Sequence, residues 1–138
     1  MNNQPKHRLP TKRGEIWVEF YPGYLISNYG RWWSLYYRKI IKQFPNSSGY
    51  FRACLKIDGK RKHIFTHIKV VEIFGDKNGN RMPGDTLFGY GMSIDHVDAN
   101  KKHNQYTNLE LVTHRTNCLR REENIRLHSV GGGRRIGK

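Results

Sequence analysis

The chain has 138 residues, with 25 Lys and Arg against 11 Asp and Glu, which gives a formal net charge of +14. This length fits one small domain with short appendages, and no stretch approaches the roughly 18 consecutive apolar residues of a membrane span. Two cysteines, Cys54 and Cys118, are too few for a disulfide framework or a four-cysteine zinc site, so we expect a reducing, cytoplasmic setting. The first residues show no charged-then-apolar leader, so no secretory signal is expected.

The basic residues fall in long blocks that contain no acid. One block runs from residue 20 to residue 57, and another follows Glu123. An excess of positive charge opposes compact folding, whereas binding to nucleic acid neutralises the charge and releases counterions. No basic helix has the apolar face that a membrane surface would require. The charge therefore favours a nucleic-acid partner, either duplex DNA or RNA.

The first half of the chain has the pattern of a β-rich part. Residues 1–13 are polar, basic and contain proline, which predicts a loose arm. Between residues 16 and 35, short aromatic runs alternate with turn signals, as in short strands joined by turns. Further strands are predicted over residues 36–44, 50–57 and 60–65.

Two aromatic pairs in this part, Trp32–Trp33 and Tyr36–Tyr37, cannot turn both members toward one core. Neighbours on a strand point to opposite faces of the sheet. One member of each pair is therefore expected to be exposed or to be covered by another element. An exposed member beside the neighbouring basic residues would be placed to contact DNA.

The second half of the chain is predicted to be mixed. A helix is expected over residues 66–74, with Thr66 as its cap and Gly75 as its end. A long glycine-rich connection follows over residues 75–92. A strand is then predicted over residues 92–97, and a loop over 98–108. A second strand over 109–113 and a last helix over 114–127 follow. The fold class expected is α+β, with a β-rich part at 1–65, a second part at 66–128 and a basic tail at 129–138.

Four residues of the second part are spaced to meet at one site. Asp95 and His96 end the first strand, Asn108 precedes the second strand, and Asn117 lies one turn into the last helix. Carboxylate and carboxamide oxygens suit Mg²⁺, Mn²⁺ or Ca²⁺ rather than zinc. An imidazole takes a proton from water near neutral pH. The set suits metal-assisted hydrolysis of a phosphodiester, although Asp95–His96 alone would be an ordinary strand-end pair.

This segment resembles the HNH nucleases, the ββα-metal or His-Me finger class, and in particular the homing endonucleases of phages and group I introns. The matching elements are Asp95–His96, Ala99–Asn100–Lys101, Asn108–Leu109, Val112–Thr113 and Asn117. Upstream, residues 24–35 resemble the modular motif found in many such enzymes. Residues 67–71 take the place of the family's His-Arg-Leu-Val-Ala helix, with Ile68 where the family has Arg. The connection at 75–92 is longer than the family pattern.

The resemblance implies a ββα-metal unit at 66–128 and a metal-dependent DNA endonuclease. It implies that His96 is the general base and that Asp95 and Asn117 hold one divalent ion, Mg²⁺ with Mn²⁺ as a substitute. Asn108 would fix the loop and hold His96 in position. The partner implied is double-stranded DNA, in the cytoplasm of a bacterial host or a phage-infected cell, with the oligomeric state left open. The residues expected to contact DNA are Arg31, Arg38, Lys39, Lys101, Arg115, Arg120 and Arg121.

Two other functions remain open from the sequence. One is a DNA-binding protein whose HNH unit no longer cuts, acting as a regulator or a packaging accessory. The other is an RNA-binding module, which would prefer single-stranded or structured RNA to duplex DNA. The remaining histidines, which are weaker candidates for a direct role, are His63, His67, His103, His114 and His128.

Overall fold

The computed structural model describes residues 9–132, without the side chains of Asn124 and residues 126–132. Residues 1–8 of the expected arm, the side chain of His128 and the tail after residue 132 lie outside the described residues. The strands are β1 (Trp17–Tyr21), β2 (Tyr24–Ser27), β3 (Trp32–Ser34), β4 (Lys39–Ile40), β5 (Phe44–Pro45), β6 (Phe51–Ile57), β7 (Lys60–Phe65), β8 (Met92–His96) and β9 (Leu109–Thr113). The helices are α1 (Thr66–Phe74) and α2 (His114–Gly132), and short 3₁₀ turns occupy Gly84–Thr86, Phe88–Tyr90 and Tyr106–Asn108.

The strands form three antiparallel sheets, which confirms the expected α+β class. The first has the order β1-β2-β3-β4, the second β5-β6-β7, and the third pairs β8 with β9. The β6–β7 hairpin follows from its sequence, because Asp58 and Gly59 both adopt positive φ (52° and 79°) and so form the tight turn that two-residue hairpins favour. Within residues 9–132, no helix is both long enough and apolar enough to cross a membrane.

Three local predictions are wrong. The strand expected over residues 36–44 is interrupted, because Arg38 takes a φ of 56° and turns the chain so that β4 pairs back onto β3. Thr66 does not cap α1: Phe65 is the cap residue, and the Thr66 hydroxyl accepts a hydrogen bond from Trp32 Nε1 at 2.9 Å. Residues 10 and 11 of the expected loose arm are held, since Trp17 Nε1 donates to Thr11 Oγ1 at 3.0 Å and Arg31 donates to the Pro10 carbonyl.

The paired aromatics separate into a buried pair and an exposed pair. Trp32 and Trp33 are both buried, with Trp32 in the main core. Tyr36 and Tyr37 are both exposed, at 82% and 69%, and their rings meet edge to face.

One apolar core joins the two halves of the sequence. Its buried members come from both sides of residue 65 and are Ile26, Trp32, Ala53, Leu55, Val70, Val71, Leu87, Ile94 and Leu109. Burying a side chain such as Leu109 completely contributes about 1.5–3 kcal/mol. The β8–β9 hairpin and α1 are therefore held against the N-terminal strands by shared packing.

The long connection after α1 is anchored by a buried carboxylate. Asp76 is 2% exposed, and its Oδ1 accepts hydrogen bonds from the backbone N–H groups of Asn78 and Asn80. Its Oδ2 accepts the N–H of Leu111 in β9 at 2.7 Å. These bonds satisfy the carboxylate and fix the start of the connection to the third sheet.

Candidate active site

The β8–β9 hairpin and α2 bring three of the predicted residues to one cavity. Asp95 and His96 come from the end of β8, and Asn117 comes from the first turns of α2. All three line a cavity of about 70 Å³, together with Tyr50 and Lys101 among others. Asn108 and Asn117, which follow His96 by 12 and 21 residues, both lie in this part of the fold. Asn117 lines the cavity, whereas Asn108 lies beneath the loop.

His96 is buried and has a defined ring orientation. Its Nε2 lies 2.7 Å from Oδ1 of Asn104, whose own Nδ2 donates to the Lys101 carbonyl. An amide oxygen only accepts, so Nε2 of a neutral His96 carries the proton and Nδ1 carries the lone pair. Burial lowers the pKa of His96, although the hydrogen bond with Asn104 acts in the opposite direction. Because the pKa is lowered, the ring is neutral near pH 7.

Asn108 ties the two ends of the loop together and does not line the cavity. Its Oδ1 accepts the Asp98 N–H at 3.1 Å, and its Nδ2 donates to Asp98 Oδ1 at 2.9 Å and to the His103 carbonyl at 2.8 Å. Although burial opposes it, hydrogen bonds from His103, Asn100 and Asn108 lower the pKa of Asp98 to about 2. Asp98 is thus ionised at neutral pH, and its hydrogen bonds with Asn108 hold together the two ends of the loop that follows His96.

The donor set at the cavity fits a hard divalent cation. Asp95 Oδ2 accepts Arg120 Nη1 at 3.0 Å, and Asn117 Nδ2 donates to Ser93 Oγ at 2.7 Å. No other contact within the described part of the chain takes Oδ1 of either residue, so one carboxylate oxygen and one carbonyl oxygen stay available. Oxygen ligands of this kind suit a hard divalent cation, whose other coordination positions would be left to water and to oxygens of a bound ligand. Among the side chains that the structure describes, no three or more His, Cys, Asp or Glu are grouped so that they could hold a metal.

Two of the predicted basic residues face the same cavity. Lys101 and Arg121 both line it, and Lys101 Nζ lies 4.7 Å from the centre of the Tyr50 ring while donating to the Ser48 carbonyl. Arg115 is exposed on α2, at the start of the same helix. Arg120 is not among the residues that line this cavity; it pairs with Asp95 at its wall and also with Glu110 at 2.8 Å.

The predicted basic residues of the N-terminal sheet divide in the same way. Arg38 and Lys39 are exposed at the turn into β4, with Lys39 Nζ 5.7 Å from the centre of the Tyr37 ring. Arg31 is instead half-buried, and it donates two hydrogen bonds to the carboxylate of Glu15. The side chain of Glu15 is fully buried, so the guanidinium of Arg31 compensates a buried charge rather than facing a phosphate.

Sequence reasoning missed two contacts of His96. Asn104, which orients the ring, sits in a polar run without periodicity and carries no sequence signal. His67, at the start of α1, lies with its ring centre 5.3 Å from that of His96 and stacks on Tyr50 at 4.9 Å. Burial, together with the nearby His96, lowers the pKa of His67 to about 3. A neutral aromatic ring therefore packs beside the catalytic candidate.

The loop after β8 also rests on the N-terminal part. The Tyr106 N–H donates to the Asn28 carbonyl at 2.9 Å. Gly30, with a φ of 81°, approaches Asn104 so closely that a Cβ there would lie 2.8 Å from the Asn104 carbonyl oxygen. The residue that orients His96 is thus braced by a turn far away in the sequence.

Two comparisons with known proteins find similarity to HNH endonucleases. Residues 65–119, which include Asp95, His96, Asn108 and Asn117, match the family model of HNH endonucleases. A solved structure that describes DNA binding and cleavage by the HNH homing endonuclease I-HmuI is similar, with a TM-score of 0.56 and 27% sequence identity. The similarity covers 88% of this chain and 62% of that one. No curated protein sequence matches the chain.

Proposed function

Because residues 65–119 carry an HNH endonuclease domain, we propose that this chain is a metal-dependent DNA endonuclease of the homing type. The observation that carries the proposal is the meeting of a carboxylate, an imidazole and a carboxamide, from Asp95, His96 and Asn117, at one cavity. The similar structure belongs to an enzyme described as binding and cleaving DNA, which supports DNA as the substrate.

Each residue at the cavity has a role that its contacts allow. His96 Nδ1 accepts a proton from the attacking water, because Asn104 holds the proton on Nε2. Asp95 and Asn117 would hold Mg²⁺ or Mn²⁺, which supplies charge neutralisation at the phosphate and the leaving oxygen. Arg120 holds the second oxygen of Asp95 and so fixes the orientation of that carboxylate. Lys101 and Arg121 attract the phosphate backbone to the cavity.

The rest of the chain is assigned by charge and position. Residues 1–65 form the part that contacts DNA beside the nuclease unit at 66–128, through exposed residues such as Arg38 and Lys39. The segment predicted as a basic tail, 129–138, begins inside α2, and its residues after 132 add further positive charge. Both cysteines are free thiols, which fits the reducing cytoplasm of a bacterial host or a phage-infected cell.

A nicking assay on supercoiled plasmid tests the proposal. With Mg²⁺ the wild-type chain should nick DNA, and the His96→Ala variant should be about 10²–10⁴-fold slower, the usual contribution of a general base. DNA affinity should stay within about twofold, because in this proposal His96 acts on the attacking water while basic residues hold the phosphate backbone. The control is His63→Ala, which removes an exposed histidine of β7 and should cut at the wild-type rate.

Two results would refute the proposal: native cutting by His96→Ala, or cutting that survives complete removal of divalent metal. Cleavage of a genomic library followed by mapping of the ends would supply a substrate and show whether one or both strands are cut.

One contact favours a second candidate, a DNA-binding protein that does not cut. Arg120 holds one oxygen of the Asp95 carboxylate, and its positive charge would compete there with a metal cation. If this pair blocks the metal, Arg120→Gln should bind Mn²⁺ more tightly than the wild type in a calorimetric titration. If Arg120 instead orients Asp95, the same variant should bind Mn²⁺ about 10- to 100-fold more weakly.

A further inference from the structure

A second cavity lies directly beside the site. It has a volume of about 290 Å³ and shares two wall residues, Tyr50 and Ile94, with the cavity that contains His96. His67 belongs to its lining, and the ring of His67 lies 5.3 Å from that of His96. Successive nucleotides of one strand rise by about 3.4 Å along the axis of duplex DNA, so the base next to a phosphate held near His96 would lie beside this cavity.

The walls of this cavity are mostly aromatic and aliphatic. Tyr50 stacks on His67 with an angle of 21° between the rings, and Phe65 meets His67 edge to face at 5.8 Å. Phe88 stands at the rim and is 86% exposed, with its ring open to the solvent. An exposed aromatic ring at the mouth of an apolar cavity is a ready stacking surface for a flat ring system.

A small number of polar groups accompany these rings. His67 is 8% exposed, and among the described residues its enclosed Nδ1 has no hydrogen-bond partner. The other polar residues of the lining are Asn46, Ser48, Ser93 and the exposed His114. A mostly apolar cavity with a few polar groups is the usual composition of a site for a small planar ligand. The basic residues Lys101 and Arg121 next door provide the charge that would bring a polyanion to it.

We propose that this cavity receives an unstacked nucleobase, from the nucleotide beside the phosphate that is cut. The inference rests on the proposed function and adds a binding subsite to it. It also gives a role to the long connection at 75–92, because Leu87 and Phe88 of that connection form part of the cavity wall. A base that leaves the helix to stack under Phe88 would fix the register of the cut strand at His96.

Mismatched duplexes test the inference. A mismatch lowers the cost of unstacking a base, so at the position that enters the cavity it should tighten binding, by about tenfold. A duplex that the wild-type chain cuts is prepared with one mismatch at each position around the mapped cut. Affinity is measured with divalent metal removed by a chelator, so that no cutting occurs.

Two matched variants of the same exposed segment separate the cavity from general DNA distortion. Phe88→Ala should bind the critical mismatched duplex at least about fivefold more weakly than the wild type, since stacking on an aromatic ring is lost. Tyr90→Ala should match the wild type, because Tyr90 is also exposed, at 73%, and is absent from the lining of the cavity.

The inference is overturned if no mismatch changes the affinity by more than about twofold, or if Phe88→Ala and Tyr90→Ala behave alike. A tightening that Phe88→Ala retains would mean that the DNA bends without placing a base in the cavity. A chain that neither binds nor cuts duplex DNA would overturn the proposed function as well. A chain that cuts normally and fails only the mismatch comparison overturns the subsite alone.

Discussion

Replacing His67 by Phe should make the fold less sensitive to acid. Burial lowers the pKa of His67 from 6.5 to about 3, so the folded protein excludes a proton that the unfolded chain binds. The stability that comes from this group is fully present above pH 6.5 and is lost as the pH falls toward 3. Over that range the loss is about 1.4 kcal/mol per pH unit. From about pH 7 to about pH 5 this amounts to about 2 kcal/mol.

Urea unfolding followed by circular dichroism at the two pH values measures this effect. Within each protein, the free energy of unfolding at low pH is subtracted from that at neutral pH. His67→Phe keeps an aromatic ring against Tyr50 and should show a drop smaller than the wild type by about 2 kcal/mol. The exposed His63, replaced by Gln, is the control and should keep the wild-type drop. Equal drops in the wild type and His67→Phe would refute the reasoning.

Three further perturbations test the loop, the N-terminal sheet and the DNA contacts. Asn108→Ala removes the hydrogen bonds that join the two ends of the loop, and should lower the free energy of unfolding by about 1–3 kcal/mol in urea titrations. Arg31→Ala leaves the buried Glu15 unpaired and should destabilise the fold by about 3–5 kcal/mol, while the salt dependence of DNA binding stays unchanged. Arg121→Ala should reduce the slope of log affinity against log salt by about 0.9, and an unchanged slope would remove Arg121 from the phosphate contacts.

Hairpins and short helices were predictable from the sequence because their signals are local. The Asp58–Gly59 turn and the alternation on either side of it predict β6 and β7, and the predicted range of α1 agrees with the observed range. The meeting of Asp95, His96 and Asn117 was also predictable, since two strands and a helix in a compact unit leave few ways to arrange them. What these residues share is a short distance along the chain.

Contacts between distant segments could not be predicted in this way. Thr66 is a residue type that often caps helices, yet its hydroxyl accepts a hydrogen bond from Trp32 instead. No local sequence pattern indicates this contact. Arg31 lies in a basic block that favours DNA, yet a buried Glu15 determines its position. Asn104 and His67 gain their importance only from where tertiary packing places them, next to His96.

The close approach of Gly30 to Asn104 has a consequence for how the unit of β8, β9 and α2 could be exchanged between genes. The ββα unit is contiguous in sequence and could be transplanted as one cassette, but the turn that supports its loop would stay behind. A recipient chain with any side chain at the position of Gly30 would push against the Asn104 backbone and tilt the ring of His96. A successful transfer therefore has to include residues 27–30, or use a recipient protein that already has glycine at the position of Gly30.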